Sequence, residues 1–416
     1  MDIYTITGVI AIIAGFYMAW NIGANDVANA MGTSVGSKAL TLKQAVIVAG
    51  IFEFAGAVLV GSHVTNTIRK GMIDPTVFSG SPDILMIGML SALLASAVWL
   101  QLATHWGLPV STTHSIVGAV VGFALIAIGI SGINWGKVAQ IIASWVISPV
   151  MGGIIATTSF IFIRNRILDR NHPADEVKKY APYLVFFLFS ILTLSMVYKG
   201  LKNLKLNLPL YEALGVAVVV GILSALITRY FLRNIERAPG DDLKKELSTV
   251  EGVFRHLQII TACYMAFAHG ANDVANAIGP LAAIMSISNT HIVVMKVDVP
   301  MWILFLGGAG IIIGLATWGY KVIETVGKKI TEMTPSRGFS AEFGAATTVL
   351  VCSKMGLPIS TTHTLVGAVI GVGMARGIAS LNLGVVRNIV YSWFITLPVA
   401  GLLSVIFYEI LSTILL

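Results

Sequence analysis

The octapeptide GANDVANA occurs twice in this chain, at 23–30 and at 270–277, each time inside a long apolar stretch. Each copy sets an ionisable Asp between two Asn: Asp26 between Asn25 and Asn29, and Asp273 between Asn272 and Asn276. A carboxylate in the middle of a hydrocarbon-spanning stretch is costly and by default marks a pathway or a site. Its appearance twice, in matching context, restricts the fold to two related halves around one central site.

The surroundings are those of a membrane. Of 416 residues, 56% are hydrophobic and only 11% charged, with a mean hydropathy of +0.85, whereas soluble domains are about 25% charged. The net charge of +7 does not point to nucleic acid, because the Lys and Arg gather in a few short loops, as in cytoplasmic loops. Cys263 and Cys352 both fall in apolar spans, so no disulfide framework is implied. The start, MDIYTITG, lacks a basic leader and reads as a first membrane helix.

Hydropathy divides the chain into twelve segments, an all-α integral membrane fold: 3–35, 44–62, 84–104, 109–130, 137–163, 181–198, 210–228, 256–286, 301–322, 341–355, 358–377 and 386–413. The first and eighth are expected to be broken helices. The tenth is short and is expected to pair with the eleventh as a re-entrant hairpin. Basic clusters at Arg164, Arg166, Arg170, Lys178 and Lys179, at Arg229, Arg233, Arg237, Lys244, Lys245 and Arg255, and at Lys321, Lys328, Lys329 and Arg337 share one face. That face is predicted to be cytoplasmic, with both termini outside; Lys199, Lys202 and Lys205 are a mild exception. The two octapeptides lie an odd number of segments apart, so the repeats are inverted in the membrane. The resulting division is 1–163 for the first repeat, 164–255 for two connecting spans and a cytoplasmic connector, and 256–416 for the second repeat.

A second motif also repeats. GLPVSTTHSIVGAVVG at 107–122 and GLPISTTHTLVGAVIG at 356–371 agree at twelve of sixteen positions. Pro109 and Pro358 punctuate the chain, after which Ser111, Thr112 and Thr113, and Ser360, Thr361 and Thr362, are predicted to open helices. A helix start carries unpaired N–H groups and the positive end of the dipole. With three hydroxyls added, it suits a tetrahedral oxyanion. Two such starts should converge near the midplane. Gly118, Gly122, Gly367 and Gly371 read as helix-packing positions.

The octapeptides supply the complementary chemistry. Gly23 and Gly270 are expected to let the helix unwind, offering backbone oxygens of Gly23, Ala24, Gly270 and Ala271 beside the side chains of Asn25, Asp26, Asn29, Asn272, Asp273 and Asn276. These are hard oxygen ligands for sodium or protons. Asn25, Asn272, Asp26 and Asp273 are also expected to reach the anion. No Lys or Arg occurs within 21–37, 107–132, 261–288 or 355–375. An anion buried there meets only negative charge, which costs far more than hydroxyl donors return. The positive charge is therefore expected to travel with the substrate. A protonated phosphate can donate to a carboxylate or an Asn oxygen; sulfate can only accept.

Several polar residues lie beside this constellation. His114 and His363 follow the hydroxyl runs, read either as ligand neighbours or as satisfied structural histidines. His269 precedes the second octapeptide where the first half has Ile22. Glu53 and Glu342 break the symmetry, with counterparts expected near Pro300 and Leu93; they read either as structural carboxylates or as a further cation site.

The four motifs closely resemble those of the PiT family of inorganic phosphate transporters, over nearly all of both halves. The resemblance implies phosphate symport driven by sodium or protons, outside termini and inverted repeats. It also implies functional roles at Asp26, Asp273, Glu53, His269 and Glu342. Where some members carry an acidic residue in the third segment, this chain has Met89. The connector is short, as in prokaryotic members.

The expected function is sodium-coupled import of inorganic phosphate across the cell membrane, the inner membrane of a bacterial cell. It needs no catalytic residue and no cofactor beyond cotransported sodium. Proton-coupled uptake of phosphate or a metal–phosphate complex is the alternative, with sulfate further behind. Partners are phosphate, sodium and the bilayer, with a homodimer allowed and nucleic acid excluded. A membrane phosphatase would need a nucleophile–base pair or a metal cluster. The symmetry of the two Ser-Thr-Thr-His runs suits binding, not catalysis. A channel would not need the buried Asp pair.

Overall fold

A computed structural model describes residues 2–61, 72–199, 208–235, 242–294, 297, 299–354 and 359–416. Gly356, Pro358, Lys202, Lys205 and Arg237 lie outside the described residues. Twelve long helices account for the described chain: α1 (Ile3–Gly36), α2 (Leu42–Val60), α3 (Pro82–His105), α4 (Thr112–Ala127), α5 (Trp135–Ile163), α6 (Pro173–Lys199), α7 (Leu210–Leu232), α8 (Leu243–Thr290), α9 (Met301–Trp318), α10 (Pro335–Lys354), α11 (Thr361–Ala375) and α12 (Leu383–Leu415). Each matches one predicted segment. The largest boundary difference is α8, which begins at Leu243. Asp242 caps that start by accepting from the Lys245 amide at 3.2 Å, a bond that holds its exposed carboxyl below the usual carboxylate range.

Eight helices are long and apolar enough to cross a membrane among the described residues, and α4 and α11 are shorter apolar helices. At a rise of 1.5 Å per residue these two reach only about 24 and about 22 Å, short of a hydrocarbon core of roughly 30 Å. α4 follows an abrupt stop in the preceding helix. After α3 the stop is a Schellman turn: Gly107 adopts φ +68°, its amide reaches the Thr104 carbonyl at 3.0 Å, and the Leu108 amide reaches Ala103 at 2.9 Å. Pro109 then prevents resumption. α3 and α4 thus meet at a tight turn, whereas the turn of the hairpin expected of the tenth and eleventh segments, 355–358, lies outside the described residues.

The expected breaks in the first and eighth segments do not occur. Both α1 and α8 run unbroken through their octapeptides. The glycines serve close approach instead. A methyl group on Gly23 would lie 1.9 Å from the Ile311 carbonyl oxygen of α9, and one on Gly270 would lie 2.0 Å from that of Glu53 on α2. The reciprocal contacts are Gly314 against the Trp20 oxygen, at 1.8 Å, and Gly56 against the Phe267 oxygen, at 2.0 Å. Backbones in contact at these points leave no room for a side chain.

These contacts also reveal the pairing rule. α1 packs on α9 and α2 on α8, so each half completes the other. Likewise α4 packs on α12 and α11 on α5. Here Gly118 and Gly122 meet Leu397 and Gly401, while Gly367 and Gly371 meet Pro149 and Gly153. The glycine correspondence Gly56–Gly314 places Ile311, not a residue near Pro300, as the counterpart of Glu53. At the periphery, α6 and α7 pack on each other, and α7 makes its principal contact with α6.

Candidate functional site

The hydroxyl runs open helices as their composition predicts. Ser111 and Ser360 are the N-caps of α4 and α11; their Oγ atoms accept from the His114 and His363 amides at 3.3 and 3.2 Å. That role occupies the two serines and leaves the four threonines at the helix starts to face the octapeptides. They do so partly across the halves. Thr362 of α11 donates to Asp26 Oδ1 of α1 at 3.0 Å and receives a bond from Asn29 at 2.8 Å. Asn276 of α8 donates to Thr112 of α4 at 3.1 Å and to Thr113 at 3.4 Å. Thr361 donates to Asp273 Oδ2 at 3.1 Å.

Within each octapeptide the second Asn supports the Asp one turn before it. Asn29 reaches Asp26 Oδ1 at 2.9 Å, and Asn276 reaches Asp273 Oδ1 at 3.1 Å. The two aspartates then meet at His269. Its Nε2 lies 2.9 Å from Asp273 Oδ2 and 3.6 Å from Asp26 Oδ2. Its Nδ1 lies 3.3 Å from Glu53 Oε1. All four residues are at most 4% exposed, so the centre is shut off from solvent. Asp26, His269 and Asp273 each offer a ligand atom within 4.8 Å of the other two, a spacing that one cation could bridge.

Two expectations about ligands change. Since α1 and α8 are continuous, the carbonyls of Gly23, Ala24, Gly270 and Ala271 lie within regular helix and are not freed by unwinding. Asn25 has a different task. Its Nδ2 donates to Thr104 Oγ1 at 2.9 Å and to the Leu108 oxygen at 3.0 Å, and its Oδ1 accepts from the Val110 amide at 3.1 Å. It pins the turn of the first hairpin and so places Thr112.

Glu342 sits apart from this centre. It is buried on α10 and accepts from Thr33 at 2.5 Å, Ser34 at 3.1 Å and Gln258 at 3.3 Å, and from Thr261. Sequence reading found Glu342 and missed these four partners. The signal was a helical one: Asp26, Asn29 and Thr33 recur at three- and four-residue steps on α1, as do Gln258 and Thr261 on α8. His114 and His363 face each other, with ring centroids 4.2 Å apart, between Trp145 and Trp393.

Comparison with known proteins gives the family. The phosphate transporter family matches residues 22–404. The chain belongs to that family. A relative in Pyrococcus abyssi is 48% identical over 403 residues, covering 97% of each chain. The chloroplastic inorganic phosphate transporter 2-1 of Arabidopsis thaliana is 46% identical, over 96% of this chain and 71% of its own. A solved structure described as the sodium-dependent phosphate transporter superposes with a TM-score of 0.87 at 44% identity, covering 98% of this chain and 99% of that one. The transporter's four motifs all lie within the matched span.

The threonine contacts give a direct prediction. Thr112→Val or Thr361→Val keeps shape and deletes one hydroxyl. A hydrogen bond to a charged group is worth about 1.5–3 kcal/mol, so phosphate affinity should fall roughly ten- to a hundredfold. Binding measured on folded, purified variants checks this; unchanged affinity in both would remove the hydroxyls from the anion site.

Proposed function

We propose that this transporter is a secondary-active symporter that imports inorganic phosphate with sodium ions, with both termini outside the cell. One observation carries the reading: two helix starts bearing threonines converge on three buried carboxyl groups and a single imidazole. The helix starts suit the anion. His269 can contribute at most one positive charge against Asp26, Glu53 and Asp273. Adding phosphate to that cluster requires cations, and the hard oxygens of Asp26, Asp273, Asn29 and Asn276 suit sodium. The solved relative described as sodium-dependent supports the same cation. Glu342, with its four polar partners, is proposed as a further cation position on the path from the centre. The outside placement of the termini rests on the shared face of the basic clusters. Two-sided binding chemistry and transporter relatives support a carrier that returns its substrate unchanged, not a phosphatase.

The test is labelled phosphate uptake into proteoliposomes, with sodium and pH gradients imposed separately. Uptake should follow the sodium gradient. In a matching binding assay at fixed ionic strength and pH, phosphate affinity should rise steeply with sodium. A flat sodium response with pH-driven uptake would replace sodium by protons as the coupling ion.

A further inference from the structure

A groove lies between α6 and α7, away from the central site. Its volume is about 870 Å³. One end is basic, formed by Lys178, Lys179, Arg229 and Arg233, with Asp175 the only acid among its described lining residues. That acid is already matched by Lys178, at 2.9 Å. Arg229 and Arg233 are exposed, and Arg233 lies over the Tyr230 ring at 4.1 Å. Away from this end the walls are apolar, with Phe186 on α6 and Val218, Ile222 and Leu226 on α7. The two helices are held together by small residues: a methyl group on Gly221 would strike Ser190 Oγ at 2.4 Å, and Ser190 donates to the Ala217 oxygen at 3.2 Å.

We propose that this groove is a binding site for an anionic phospholipid, its phosphate at the Lys178–Arg229–Arg233 end and its acyl chain along Val218, Ile222 and Leu226. The match is one of amphipathy. A bilayer lipid has a charged head and an apolar tail, and the groove presents a cationic mouth followed by an apolar wall on two helices that span the bilayer. A second copy of the chain is the other occupant to weigh. A twofold docking through this groove would set its basic mouth against itself, four cations less the paired Asp175 leaving three net positive charges on each side, and like charges so placed oppose association. The lipid neutralises the same charges.

Native mass spectrometry of the detergent-purified chain with added phosphatidylglycerol or phosphatidylcholine tests the proposal. Phosphatidylglycerol adducts should persist where phosphatidylcholine adducts do not. Each basic side chain near an anionic surface is worth about a factor of five, so Arg229→Ala with Arg233→Ala should weaken phosphatidylglycerol binding roughly thirtyfold. Both side chains are exposed, so the melting temperature in lipid-free detergent should not change. A second measurement avoids the arginines: Val218→Trp should be quenched more by brominated phosphatidylglycerol than by brominated phosphatidylcholine. Equal retention of both lipids, an unaltered adduct in the double variant, or equal quenching would overturn the proposal. So would efficient crosslinking of two copies through Val218→Cys, which would assign the groove to a subunit interface.

Discussion

Asp26→Asn and Asp273→Asn are each expected to abolish sodium-driven phosphate uptake while leaving a folded protein. Asparagine retains an acceptor oxygen for Asn29 and Thr362 at position 26, and for Asn276 at position 273. What it removes is one negative charge from a closed cluster built around a single imidazole. The two variants should differ in degree. Asp273 lies 2.9 Å from His269 Nε2 on the same helix, whereas Asp26 lies 3.6 Å away on the facing helix. Asp273→Asn should therefore cost more thermal stability, and Asp26→Asn should show its damage mainly in sodium dependence. Losing one charge-assisted contact alone corresponds to about ten- to a hundredfold in affinity, and the proposed cation and anion sites should fail together. Uptake, sodium-dependent phosphate binding and melting temperature measured side by side decide it. Full uptake with unaltered sodium dependence in either variant would exclude that aspartate from the mechanism.

Gly314→Ala should be among the most damaging single-methyl changes in the chain. The added carbon would sit 1.8 Å from the Trp20 oxygen and 3.0 Å from the Ala24 amide nitrogen. Neither is a flexible side-chain end, so α1 and α9 must part. Overpacking a tight core costs about 1–3 kcal/mol, and more when backbone must move. The separation would also shift Asp26, which follows Ala24 on α1. Gly215→Ala is the control. A methyl group there would have no atom within 4 Å beyond its own helix backbone, and the position lies inside α7, where replacing glycine by alanine should stabilise a helix by about 0.5–1 kcal/mol. Melting temperatures should therefore move in opposite directions. Equal behaviour of the two would show that the close approach of α1 and α9 is not a constraint.

Most of the architecture was legible in the amino-acid sequence because hydropathy reports span length directly. All twelve helices fall on apolar segments, and Ser111 and Ser360 open helices as their type and the preceding prolines predict. The meaning of Gly23 and Gly270 was not legible. A glycine in a membrane helix either loosens the helix or admits a neighbour. Only the presence of Ile311 and Glu53 opposite, contributed by other segments, decides for the second. Asn25 was hidden for the same reason: its partners Thr104, Leu108 and Val110 lie far along the chain. His269 stood out in sequence as a break in the repeat, facing Ile22 in the other half. Its contact with three carboxyl groups needed the fold, since Glu53 reaches it from α2 and Asp26 from α1.

The exchange of partners between the two halves bears on biosynthesis. α4 is made early, yet the surface that accepts Gly118 and Gly122 is provided by Leu397 and Gly401 of α12, synthesised nearly last. The first half therefore leaves the ribosome with α4 packed on α3 but its glycine face still bare until the final helix arrives. A stop codon or frameshift between Thr362 and the start of α12 at Leu383 would leave that surface open, and membrane quality-control proteases would meet an unfinished chain even though both octapeptides and the four threonines of the proposed site had already been made.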